Sequence, residues 1–80
     1  MERRLTSAIV MKILHEKVGI PTTIPDSENL SWDELGVDSI GLTEACANLE
    51  RLLNVEVPQG QIMSTKNIKE LVMLFNSFVL

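Results

Sequence analysis

The sequence predicts an all-α fold: a small four-helix bundle, three main helices plus a short one, with a long first loop. Three observations lead there. Apolar residues recur at spacings of three and four in three separate segments, the period of a helix with one buried face. Pro21 and Pro25 break the chain between the first two of these segments. The length, 80 residues, suits one small domain with one modest core, so residues 1–80 read as a single domain.

The first helix is expected from about Arg4 to Val18. Leu5, Ala8, Ile9 and Ile13, flanked by Val10 and Leu14, make a broad apolar stripe. Gly19 is a natural stop, and Pro21 follows it. Residues 19–38 form the long connection. Within it "SWDEL" reads as a single helical turn, because Ser31 and Glu34 have capping-box spacing. Ile24, Leu30, Trp32 and Leu35 are expected to pin this loop to the core.

The next helix should open at Ser39, with Asp38 as its N-cap. Leu42, Ala45, Cys46, Leu49 and Leu53 fall on one face, and Ile40, Thr43, Glu44, Ala47, Glu50 and Arg51 on the other. Cys46 therefore reads as a small core residue rather than a reactive thiol. Pro58 ends the following connection, and a short helical turn is expected over about Gln59 to Met63. The last helix is expected from about Ile68 to Val79. Asn67 and Glu70 form its cap-and-return pair, and Ile68, Leu71, Val72, Phe75 and Phe78 form its core stripe.

Charge is unevenly placed. The net charge is -4. Yet residues 26–50 hold Asp26, Glu28, Asp33, Glu34, Asp38, Glu44 and Glu50 with no basic residue, while residues 1–18 are net basic. The acidic field surrounds Ser39. It repels nucleic acid and anionic membranes and attracts basic protein surfaces. No apolar run approaches the length of a membrane span. The N-terminus lacks the uninterrupted apolar centre of a signal peptide. A single cysteine allows no internal disulfide, which fits a reducing, cytoplasmic setting.

Ser39, within "LGVDSI", is the residue to explain. A serine nucleophile needs a base, and the only histidine, His15, belongs to a different helix. The G-x-S-x-G spacing of a hydrolase elbow is missing. One histidine, one cysteine and scattered carboxylates make no metal cluster, and no phosphate-binding glycine loop occurs. An enzyme is therefore not expected. At the first position of a helix, however, free N–H groups and the dipole favour a phosphate on the serine. A phosphodiester installed by an external enzyme would need no resident base.

"LGVDSI", Leu35 to Ile40, resembles the attachment motif of acyl and peptidyl carrier proteins. The resemblance extends to Glu44 five residues after the serine, Leu49 ten residues after it, "VEVP" at Val55 to Pro58, and a closing "NIKELVMLF". It implies that Ser39 carries covalent 4'-phosphopantetheine, with Asp38 beside it. A phosphopantetheinyl transferase would deliver the group from coenzyme A with Mg²⁺. The arm would hold acyl or aminoacyl intermediates as thioesters and shuttle them between biosynthetic enzymes. The expected partners are an acyltransferase, adenylating enzyme or ketosynthase with a basic docking surface. The resemblance places Ile40 and Glu44 on the docking face, and helical spacing adds Thr43, Ala47, Glu50 and Arg51. Gly41 is expected to loosen the first helical turn or to let a partner approach. Gly41, Ala47 and Arg51 depart from a housekeeping fatty-acid carrier, so polyketide or nonribosomal peptide metabolism is expected. A freestanding monomer is expected, the former from the initiating Met1. The alternative is an acidic helical adaptor that binds a protein partner without a prosthetic group.

Overall fold

The apolar stripes assemble into five α-helices in the computed structural model, which describes residues 4–79. They are α1 (Ser7–Val18), α2 (Trp32–Leu35), α3 (Ser39–Leu53), α4 (Gln59–Met63) and α5 (Ile68–Asn76), with a 3-10 turn at Ser27–Asn29. Met1, Glu2, Arg3 and Leu80 lie outside the described residues, and with them the charges of Glu2 and Arg3 and the reading of Met1. The main packing is α1 against α3, with α5 laid across α1 and the 3-10 turn. The centre is filled by Val10, Leu14, Leu49, Ile62, Ile68, Leu71 and Phe75, all fully buried. Every buried side-chain nitrogen and oxygen among the described residues has a hydrogen-bond partner, as a close-packed interior requires.

The α3 face is as expected: Leu42, Ala45, Cys46, Leu49 and Leu53 are all buried. The first helix differs. It starts at Ser7 rather than about Arg4, because Thr6 is the N-cap and its hydroxyl accepts from the Ile9 N–H. Leu5 precedes the helix. Its backbone N–H donates to Asn76 Oδ1 at 2.7 Å, and its carbonyl accepts from Asn76 Nδ2 at 2.9 Å. The buried side of α1 is Val10, Met11 and Leu14; Ile9 and Ile13 flank it and Ala8 is exposed. Gly19 ends α1 in the left-handed conformation.

The last helix ends at Asn76 rather than about Val79. Ser77 is its C-cap, and the Ser77 hydroxyl donates to the Leu74 carbonyl. Its N-terminal pair is half as expected. Asn67 Oδ1 accepts from the Glu70 N–H, but the Glu70 carboxylate accepts from the Lys66 N–H, one residue before the cap. The stripe holds: Ile68, Leu71 and Phe75 are buried, and Val72 and Phe78 pack against the core.

The long loop is tied down by more than its apolar anchors. Ser31 and Glu34 form the capping box of α2. Leu35 is buried, with Ile20 and Val37, while Ile24, Leu30 and Trp32 pack at the edge of the core. The Trp32 indole N–H donates to the carbonyl of Thr65 at 3.0 Å, with the Thr65 hydroxyl also in reach at 3.3 Å. An isolated antiparallel bridge joins Ser31 to Asn67. The loop is thus fastened to the α4–α5 connection, and it delivers the chain to the start of α3 in a fixed direction.

Candidate functional site at the start of α3

Gly36 sets up the site. It ends α2 at φ 78°, a left-handed conformation that a side chain would strain. Two residues later Asp38 caps α3: its Oδ1 accepts from the Gly41 N–H at 2.7 Å, and its carbonyl accepts from the Leu42 N–H at 2.9 Å. Ser39 is then the first helical residue, and it is exposed. Among the described residues, none hydrogen-bonds to the Ser39 hydroxyl, and the Ser39 and Ile40 N–H groups have no acceptor. These donors and the positive end of a 15-residue helix accommodate a phosphate oxygen well. The Asp38 carboxylate is the one like charge in the cap. A phosphodiester on Ser39 therefore fits the residues present.

Nothing here activates the serine for catalysis. His15 donates from Nδ1 to the Ile20 carbonyl at 2.7 Å and fastens the turn after α1. No cluster of three metal-ligating side chains occurs among the described residues. Cys46 is buried, and its thiol is pushed up to about 12 by burial first and by the Glu50 charge second. It stays protonated and inert at neutral pH.

The outer face of α3 separates into distinct parts. Ile40 is 74 % exposed, a large apolar side chain beside Ser39. Glu44 and Ala47 are exposed along the same face. Arg51 is exposed and donates to Asn48 Oδ1 at 3.2 Å. Glu50 is only half exposed, and one of its oxygens accepts from the Val57 N–H at 2.9 Å, holding the α3–α4 connection. Thr43 donates to the Ser39 carbonyl at 2.7 Å and accepts from Gln59 Nε2 at 2.9 Å.

Gly41 lies elsewhere than expected. It is buried, and its missing side chain is filled by Val18, the last residue of α1. A Cβ on Gly41 would stand 3.1 Å from Val18 Cγ2 and 3.2 Å from Asp38 Oδ1. The close approach is made by the protein's own first helix, not by a partner. Sequence reasoning missed Val18 and Gln59. A glycine at the third position of a helix is the one signal that pointed to the former; nothing in "VPQG" pointed to the latter.

The phosphopantetheine attachment site family matches residues 8–75. The chain belongs to this family of acyl carrier proteins. An acyl carrier protein of Acidothermus cellulolyticus is 30% identical over 61 residues, which span 76% of this chain and 73% of that protein. Two solved structures from Streptomyces coelicolor share the fold. The 3,5-dioxohexyl carrier of the actinorhodin polyketide synthase, a triketide mimic, has a TM-score of 0.84 at 28% identity, over 99% of this chain and 95% of the other. The holo actinorhodin carrier has a TM-score of 0.82 at 26% identity, with the same coverage. Acyl carrier proteins are carriers rather than catalysts, and phosphopantetheine is their prosthetic group. No helix among the described residues is long and apolar enough to cross a membrane.

Proposed function

We propose that this chain acts as a monomeric, cytoplasmic acyl carrier of polyketide metabolism, with phosphopantetheine attached through Ser39 Oγ. The observation that carries the reading is the exposed Ser39 hydroxyl at the first turn of α3, with free N–H groups beside it and no base in contact. Installation falls to a phosphopantetheinyl transferase using coenzyme A and Mg²⁺, which brings its own base. When bound, the group supplies a terminal thiol that holds an acyl chain as a thioester. The polyketide assignment is supported by likeness to the actinorhodin carriers over 99% of this chain.

The residues of this chain present and direct the arm. Asp38 fixes the turn that exposes Ser39, and Gly36 permits that turn. Ile40, Glu44 and Ala47 form a narrow apolar and acidic stripe suited to a transient interface with a basic partner enzyme. Arg51 at the far end of the stripe and Thr43 on its edge help set which ketosynthase or acyltransferase docks. Glu50 contributes charge at the rim while bracing Val57. Cys46 serves by being unreactive, since a second accessible thiol would compete with the arm for acyl groups.

Titration of accessible thiols under native conditions tests this. The apo chain should show none, and the chain treated with transferase, coenzyme A and Mg²⁺ should show one. An unchanged thiol count after treatment, with a reference carrier modified alongside, would remove the reading.

A further inference from the structure

We infer that the groove beyond the middle of α3 is a second docking site, which takes a bulky apolar side chain flanked by lysine or arginine from a partner enzyme. The docking role rests on the carrier reading; the recognition chemistry stands on the groove itself. The groove has a volume of about 980 Å³. Ala47 lines its opening and is also the last apolar residue of the exposed stripe that starts at Ile40. The groove therefore continues the proposed contact face away from Ser39. Ala47 stands about 12 Å from Ser39 along the helix axis, at 1.5 Å per residue.

The floor is apolar: Val55, Val57, Pro58 and Phe78 line it. Val55 and Phe78 are only half-buried, so part of their apolar surface is left for another molecule to cover. The wall is set before any partner arrives. Asn54 turns the chain at φ 55°. The Val55 N–H then donates to the Glu50 carbonyl at 3.0 Å, and the Val57 N–H donates to the Glu50 carboxylate at 2.9 Å. A large side chain at position 47 would fill the opening; alanine leaves it free, so the bulk comes from the partner. The rim carries the charge. Glu50 and Glu56 line it together with Arg51, whose guanidinium is held by Asn48 outside the groove lining. Two carboxylates against one engaged guanidinium select a basic neighbour for the apolar side chain. An apolar anchor seated in a pocket with a polar rim is the arrangement that concentrates binding energy in an interface.

The test is a nuclear magnetic resonance titration of the apo chain with two peptide probes, acetyl-Lys-Phe-Arg-amide and acetyl-Glu-Phe-Glu-amide. The basic probe should shift the Val55 and Val57 methyls and the Phe78 ring, with binding that weakens as salt is added. The acidic probe should leave them in place at the same concentration. Ala47→Leu keeps a good helix former and fills the opening; with its core resonances unchanged, it should lose the shifts. Ala8→Leu, an exposed change on α1, should keep them. Glu56→Gln should weaken binding of the basic probe and flatten its salt dependence. Equal binding of the two probes, or shifts as large in Ala47→Leu as in the native chain, would overturn the inference. Groove resonances that move on dilution without probe would assign the groove to a second copy, and weaker probe binding after the arm is installed would assign it to the arm; either overturns the inference as well. Because the titration needs no arm, its failure leaves the attachment reading standing, and a missing mass gain leaves the probe result standing.

Discussion

Replacing Gly41 with alanine sets two measurable effects against each other. Alanine in place of glycine inside a helix favours folding by about 1 kcal/mol through propensity alone. The structure opposes this, because the new Cβ would stand 3.1 Å from Val18 Cγ2 and 3.2 Å from Asp38 Oδ1. Valine in a helix has one strongly preferred rotamer, so Val18 cannot simply turn aside, and the end of α1 must shift. Overpacking of this kind costs roughly 1–3 kcal/mol. Displacing Asp38 also weakens an N-cap bond of the type worth about 1 kcal/mol. The expected result is a net loss of about 1 kcal/mol, seen as a lower urea midpoint at unchanged slope. The cycle with Val18→Ala isolates the cause: in that background Gly41→Ala should become neutral or stabilising. Stabilisation by Gly41→Ala in the native background would refute the close-approach argument.

Three further outcomes follow from particular contacts. Trp32→Phe removes the indole N–H that meets Thr65; it should lower stability by about 1 kcal/mol or more in urea unfolding, and an unmoved midpoint would remove the latch. Cys46 has a folded pKa near 12 against 9.0 for the free group. Well below pH 9.0 both states keep the proton and the thiol adds no pH dependence. Above it the unfolded thiol ionises first, so stability should fall with rising pH by about 1.4 kcal/mol per unit until the folded thiol ionises too; Cys46→Ala should lack that alkaline fall, and an identical pH profile would contradict the assignment. Glu44→Lys should leave the urea midpoint within about 0.5 kcal/mol of native. It should lower kcat/KM for the partner enzyme most at low salt, and equal turnover at every salt concentration would take Glu44 out of the interface.

Much of this structure is legible where a segment has one apolar side. The α3 face is such a case: polar Thr43, Glu44, Asn48 and Arg51 leave a single arc for Leu42, Ala45, Cys46 and Leu49. The start of α3 at Ser39 is equally readable, since Asp38 is a strong cap and the apolar period begins just after it. In α1, apolar residues cover most of the circumference from Ala8 to Leu14, so the period does not say which of them face inward. The structure places Met11 in the core and leaves Ala8 exposed. Both mistaken helix ends have local caps, Thr6 and Ser77, that the apolar stripe runs past, and a long-range contact joins the two ends. Asn76 pairs with the backbone of Leu5, 71 residues away, and a local pattern carries no trace of such a partner. The proposed attachment residue, Ser39, shows itself through its neighbours in sequence, whereas Val18 and Gln59 reach the site only through the fold.

The central claim is that Ser39 is where the prosthetic group is attached. It is tested most directly by intact mass after incubation with coenzyme A, Mg²⁺ and a broad-specificity phosphopantetheinyl transferase, with native protein and Ser39→Ala run side by side. The account predicts a gain of one phosphopantetheine in the native chain and none in the folded variant. A gain in both, or none in the native chain while a reference carrier is modified under the same conditions, would contradict it.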